Sequence, residues 1–336
     1  MFYEEKCDFC GDCLTRCAYV EYDKERAASE IRALIDGKEA PILSSCITCY
    51  ACNEYCPQEA RPFDLILERM EQYHSFPAPL EVVAGQEAFF TPGTPIKLEK
   101  TGDTVMSACV FGNSEAELLQ GRLFEGLPML KGRHFFCYIL FDHLGAGSIT
   151  KKHMQAYVDS LAASGADEVV LFHDDCYGAL VDVAPQIGVE VPFRPVHIVE
   201  YLRDYLESHK GKLRPLNLRV AYQRPCASRL SPAKEPAVDA VLKLIGVERV
   251  ERGYDRESAL CCSGAIAQWD AERAAGLRAR NLEDALSAGA EAICYLCPMC
   301  RRVLSPDAES KGLANYHIIE LARMSLGELA MPSPSI

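Results

Sequence analysis

No apolar run in the 336-residue chain reaches the roughly 18 residues that span a bilayer, so no transmembrane segment is expected. Basic residues are in deficit: 35 Lys+Arg stand against 48 Asp+Glu, for a formal net charge of −13. No basic stretch is left to neutralise phosphates, which argues against a nucleic-acid partner. Residues Met1-Phe2-Tyr3-Glu4-Glu5-Lys6-Cys7 offer neither a basic n-region nor an apolar h-region, so no signal peptide is expected. Nucleotide-binding signatures are also missing. Gly145-Ala146-Gly147-Ser148 falls short of the dinucleotide fingerprint, and no flavin or nicotinamide motif occurs. A partner must therefore supply any two-electron cofactor chemistry. What remains is an ordinary globular composition, 49% hydrophobic and 25% charged, with length for two or three domains.

Cysteine is the exception, with 17 residues. An odd count without a secretory signal points to reduced thiols and a cytoplasmic location, and clustered reduced thiols serve as metal ligands or redox groups. Eight of them fall within residues 7–56. A Pro- and Gly-punctuated stretch follows, which reads as a linker over 76–103. This gives a small domain over 1–75 and a larger one over 104–336.

The small domain carries Cys7-x2-Cys10-x2-Cys13-x3-Cys17 and then Cys46-x2-Cys49-x2-Cys52-x3-Cys56-Pro57. Three cysteines in a tight loop reach three corners of an iron–sulfur cube, and in paired runs the fourth cysteine ligates the other cluster. Cys7, Cys10, Cys13 and Cys56 are assigned to one [4Fe–4S] cluster, and Cys46, Cys49, Cys52 and Cys17 to a second. The pattern is that of the bacterial two-cluster ferredoxins, apart from the missing Pro after Cys17. Structural zinc is the alternative, but zinc favours separated Cys-x2-Cys pairs.

In the larger region, short Val/Ile/Phe/Tyr-rich segments at 104–110, 134–141, 168–172, 218–222 and 292–296 read as strands. Helical spacing marks 115–125, 151–164, 197–208, 235–245, 271–288 and 318–326. The alternation predicts α/β layers with a mostly parallel sheet. The region also repeats itself. Residues 165–176 align without gaps on 289–300, Cys109 matches Cys226, and 142–146 match 261–265. Two pseudo-symmetric α/β halves, 104–215 and 216–336, are therefore expected beside a small α-helical ferredoxin-type dicluster domain. Their cysteines fall at strand ends, where ligands sit in such sheets.

Cys226, Cys261-Cys262 and Cys297-x2-Cys300 resemble the cysteine-rich domain of the B-type and D-type polypeptides of heterodisulfide reductase, whose pattern is Cys, then Cys-Cys-Gly, then Cys-x2-Cys, in two copies. Here the second copy is complete except that Ser263 separates Cys262 from Gly264. With the ferredoxin-like module, the chain is also similar to iron–sulfur subunits of glycolate, lactate and glycerol-3-phosphate dehydrogenases. The resemblance implies a non-cubane [4Fe–4S] cluster on Cys226, Cys261, Cys262, Cys297 and Cys300. A zinc site or a dithiol pair on the same residues is the alternative.

The first copy departs from the pattern. Asp142 and His143 stand in place of Cys-Cys, and His173 replaces the first Cys of Cys-x2-Cys. Cys109, His143, His173 and Cys176 make an S2N2 set that suits zinc, with Asp142 or Asp174 to orient a ligating His. A decayed, metal-free site is the alternative. Cys137 and Cys294, in apolar segments, read as small buried hydrophobes. Arg224, Arg229, Arg301 and Arg302 flank the C-terminal cysteines, either as solvated charge or facing the cluster to offset its negative charge.

Together these readings predict an iron–sulfur electron-transfer subunit of a heterodisulfide-reductase-like oxidoreductase. It would pass electrons between two cubane clusters and a C-terminal site that acts on a thiol or disulfide, alongside a flavin-containing or other redox subunit. The alternative is a pure relay subunit of a flavoprotein dehydrogenase, with no substrate site of its own.

Overall fold

The computed structural model describes residues 1–330, so the last six positions of the expected 216–336 half lie outside the described residues. Two four-stranded parallel sheets organise the larger region. The first has the order β2-β1-β3-β4, built from β1 Thr104–Cys109, β2 Met129–Lys131, β3 Glu168–Leu171 and β4 Arg194–His197. The second repeats that order as β6-β5-β7-β8, from β5 Leu218–Gln223, β6 Val247–Arg249, β7 Ala292–Tyr295 and β8 Ala314–His317. This is the α/β architecture expected from the sequence.

Successive strand residues enter opposite cores, as the period of two requires. Val105, Val169, Leu171, Ala221, Ile293 and Tyr295 join one core, shared with the N-terminal helices. Met106, Ala108, Val170, Val220, Tyr222 and Cys294 join another, packed by helices Ile198–Ser208, Glu235–Leu244 and Ile318–Ser325. Burial on both faces explains why these strands are almost wholly apolar. In each sheet the strand order reverses between its two central strands, and the crevice there, at their carboxyl ends, is where such sheets bind ligands. Cys109 ends β1, His173 follows β3, Cys226 follows β5 and Cys297 follows β7.

The halves share a detail that the cysteine alignment had not exposed. His197 caps the helix after β4, accepting from Val199 N at 3.1 Å, while Glu200 accepts from His197 N at 3.0 Å. His317 and Glu320 form the same reciprocal cap after β8, with Ile319 N at 3.3 Å and His317 N at 2.7 Å.

Two expected elements differ. Residues 134–141 are not a strand but a turn, Arg133–Phe135, followed by a short helix, Leu140–His143. The segment is buried like a strand, but Tyr138 takes φ +62°, which no strand accommodates. Residues 115–125 form turns instead of a helix. Gly121 at φ +93° breaks the run, and Arg323 Nη1 donates to Glu117 O at 2.6 Å, tying the segment to the last helix. The punctuated 76–103 stretch contains a helix, Leu80–Phe90. Strands β2, β4, β6 and β8 were not marked by the sequence patterns.

Candidate functional site

The two N-terminal cysteine runs fold alike. Phe9 and Thr48, each two residues after the first cysteine, take φ +58°, and Gly11 and Tyr50, two residues further on, take +78° and +63°. These left-handed turns curl each loop so that its three thiols face one centre. At Gly11 a Cβ would meet Lys24 O at 3.0 Å, so glycine is required there. Cys7, Cys10, Cys13 and Cys56 line one small cavity, walled by Phe2, Ile31 and Pro62. Burial and the neighbouring Cys56, Cys10 and Cys7 push the Cys13 thiol up to about 12. Cys52 is raised by burial and then by Cys46, Cys13, Cys49 and Cys17. Four thiols crowded in an apolar setting would suit a polynuclear iron–sulfur group, which takes one thiolate per iron. Backbone amides already point at sulfur: Thr48 N donates to Cys46 Sγ and Ala60 N to Cys56 Sγ, each at 3.3 Å.

The C-terminal cysteines form one continuous buried string. Cys261 shares hydrogen bonds with Cys226 and Cys262, and Cys300 shares them with Cys262 and Cys297. Cys297 is held down to about 6 by the Cys300 hydrogen bond and the His173 charge, against burial. Ser263 N donates to Cys261 Sγ at 3.3 Å. The three sets are strung together. Cys13 adjoins Cys52, and Cys49 has Cys226 as an electrostatic neighbour, with the Tyr19 hydroxyl accepting from Cys261 N at 2.8 Å.

The expected Cys109, His143, His173 and Cys176 set is not assembled. His143 Nδ1 donates to Thr48 O at 2.7 Å, and the Thr48 hydroxyl donates to His143 O at 2.7 Å, so this histidine docks the N-terminal module. His173 directs Nε2 to Cys297 Sγ at 3.1 Å and lies 3.7 Å from Asp175 through Nδ1. Among the described residues no group of three or more His, Cys, Asp or Glu is placed to hold a single metal ion. Neither candidate carboxylate orients a histidine ligand. Asp142 accepts from the Tyr50 and Thr150 hydroxyls, and Asp174 pairs with Lys234 at 2.7 Å. Cys137, read as core, is buried as expected, but its thiol also joins Cys176 and Cys109.

Residues 220–305 match the CCG family, the cysteine-rich domain. That stretch of the chain carries a cysteine-rich domain of this kind. The chain is 30% identical over 249 residues to the D polypeptide of the dihydromethanophenazine:CoB–CoM heterodisulfide reductase of Methanosarcina barkeri, covering 69% of this chain and 61% of that one. The resemblance to heterodisulfide reductase is thus borne out, although the match leaves over a third of that relative unspanned. The B polypeptide of the fumarate reductase (CoM/CoB) of Methanothermobacter marburgensis is 26% identical over 171 residues, 48% of this chain and 32% of that one. A solved hypothetical protein from Helicobacter pylori superposes with a TM-score of 0.59 at 14% identity, over 83% of this chain and 60% of that one, a likeness of fold.

Within the CCG domain the arginines separate by role. Arg224 is neutralised: its guanidinium grips Glu54 of the N-terminal module at 2.7 and 2.8 Å and Glu235 at 3.0 Å. Arg301 pairs with Glu320 at 3.0 Å, and Arg302 is exposed. Arg229 is the one whose electrostatic neighbours are thiols. Its side chain is buried, Nη2 donates to Ala259 O at 2.7 Å, Nε lies 3.3 Å from Glu54, and its next electrostatic partners are Cys49 and Cys226. Ser263 occupies the CCG glycine position at φ +65°, with its hydroxyl buried and unpartnered. No helix among the described residues is long and apolar enough to cross a membrane.

Proposed function

We propose that this chain is the iron–sulfur electron-transfer subunit of a heterodisulfide-reductase-like oxidoreductase. Cys7, Cys10, Cys13 and Cys56 would hold one [4Fe–4S] cluster, and Cys17, Cys46, Cys49 and Cys52 a second. Cys226, Cys261, Cys262, Cys297 and Cys300 would hold a non-cubane cluster that acts on a thiol or disulfide. The 1–75 module thus feeds the paired halves of 104–336, with 76–103 between them. The carrying observation is the spatial succession of the three thiol sets, Cys13 beside Cys52 and Cys49 near Cys226. When bound, the clusters supply stepwise one-electron storage and transfer.

The chain's own groups shape that path. Arg229, buried between Cys49 and Cys226, offsets negative charge on both sides. The amides of Thr48, Ala60 and Ser263 stabilise anionic sulfur. His173 and Tyr19 fix Cys297 and the Cys261 turn. A cavity of about 740 Å³ reaches His173, Asp175 and Gly264, with Phe90, Phe136 and Trp269 in its walls. Room for a substrate against His173, which itself contacts Cys297, favours this reading over a pure relay. A flavin-containing or other redox subunit would exchange electrons with the N-terminal module.

Iron and zinc quantified on anaerobically purified protein, with EPR, test the proposal. About eight irons from two cubanes and about four more from the third site are expected; zinc without iron sinks it. Reduction of a disulfide by the isolated chain with an artificial donor distinguishes it from the relay.

A further inference from the structure

The first half carries three thiols that the cluster assignments do not use. Cys109, Cys137 and Cys176 come from the end of β1, the turn after Arg133–Phe135 and the helix after β3, and all are at most 2% exposed. Cys176 shares side-chain hydrogen bonds with both of the others. The three do not stand alike towards the cavity of about 740 Å³: Cys109 and Cys137 line it, and Cys176 lies behind them. The backbone holds Cys109 at φ +52°. Burial opposes ionisation of its thiol, but the Cys176 hydrogen bond and the His173 charge outweigh it and hold Cys109 below its ordinary value. Cys176 is pushed the other way by its bonds to Cys109 and Cys137. A thiol on a cavity wall, backed by a second thiol in contact with it, is the arrangement of an attacking and a resolving cysteine.

We propose that Cys109 and Cys176 form a reversible dithiol/disulfide couple that reacts with a small disulfide entering this cavity. The Cys109 thiolate attacks one sulfur of RS–SR. That S–S bond breaks, one RS⁻ leaves, and a mixed disulfide joins R–S to Cys109. The Cys176 sulfur then attacks the Cys109 sulfur and displaces the second RS⁻. The two cysteine thiols are oxidised to one disulfide, RS–SR is reduced to two RSH, and the two cysteine protons end on the released thiols. The reverse sequence lets the site deliver a disulfide to a dithiol. The walls suit an apolar or aromatic disulfide: Phe89, Phe90, Phe136 and Trp269 line the cavity, with Arg133 and Arg302 among its residues to receive an anionic substituent. The couple needs no bound metal, so it stands or falls separately from the cluster assignments.

The test uses the whole chain with its metals, purified without oxygen and treated with 4,4′-dithiodipyridine. Released thiopyridone is followed by absorbance, and the cysteines are mapped by mass spectrometry after acid quench and alkylation. About two thiopyridones per chain and a Cys109–Cys176 link are expected. Cys176→Ser should release about one and retain a mixed disulfide on Cys109, and Cys109→Ala should abolish the link. Equal iron content and far-UV circular dichroism establish that each variant is folded. Cys294, buried in the opposite core, should remain unmodified. Absence of any link in the wild type overturns the proposal. So does a Cys137–Cys176 link in place of the expected one, or a stoichiometric metal ion held by the three thiols.

Discussion

His173 Nε2 stands 3.1 Å from Cys297 Sγ, across 124 residues of sequence. The two are also counterparts in the internal repeat, so each half places the same strand-end position against the other. One copy supplies sulfur there and the other an imidazole. Burial disfavours a charged imidazole, but Asp175 and Cys297 outweigh it and raise His173 well above its ordinary value, so Nε2 donates to the sulfur. Removing a donor to a charged acceptor costs about 1.5 kcal/mol, roughly 60 mV for one electron. His173→Leu should therefore lower the midpoint potential of the C-terminal centre by about that amount, and His173→Gln should retain part of it. An EPR-monitored redox titration reads the shift; unchanged potentials in both variants would refute the donor role.

Arg229 predicts a different signature. It neighbours Cys49 and Cys226 together, so Arg229→Met should lower the potentials of two centres at once. Arg229→Lys should lower them less, because the charge stays but the planar fork is lost. Arg224→Met removes a guanidinium already paired with Glu54 and Glu235. It should chiefly loosen the N-terminal module, seen as faster proteolysis at unchanged potentials.

Ser263 is a local misfit at φ +65° with a buried, unpartnered hydroxyl. A left-handed non-glycine residue costs roughly 1–2 kcal/mol, part of which glycine returns as entropy in the unfolded chain. Ser263→Gly should stabilise the protein by about 1 kcal/mol in anaerobic denaturant titration. A loss of stability would show that the hydroxyl has a use.

Asp174 ties the first half to the second, accepting from Ser228 Oγ at 2.7 Å and pairing with Lys234 at 2.7 Å. Despite burial, Lys234 and His197 hold its carboxyl well below the ordinary 3.8. A depressed carboxylate contributes stability above its unfolded pKa and loses it as pH falls towards the folded one. Asp174→Ala should cost about 3–5 kcal/mol near neutrality. The gap to wild type should narrow only below about pH 4, measured by denaturation across pH.

Much of the site was legible because cysteine spacing is a local property. The repeated three-cysteine runs fold into matching left-handed loops. The long amphipathic segments became Gly147–Ala162, Ile198–Ser208 and Ala271–Ser287 close to where periodicity put them. The 134–141 segment misled because burial, not extension, makes it apolar, and its irregular path is what carries Cys137 to Cys176. Short edge strands such as Met129–Lys131 and Val247–Arg249 hold too few residues to show a period.

The number of thiols, their grouping along the chain, the two-fold repeat and the α/β class were readable from the amino-acid order, since each depends on residue type and spacing alone. Which groups became partners was settled by packing. It turned His143 to Thr48 and His173 to Cys297 instead of to a shared ion. It neutralised Arg224 and left Arg229 between two thiol sets, and it brought Cys109, Cys137 and Cys176 together. These outcomes depend on directions of side chains from elements far apart in the chain, and such directions are fixed only when the sheets and the N-terminal module pack.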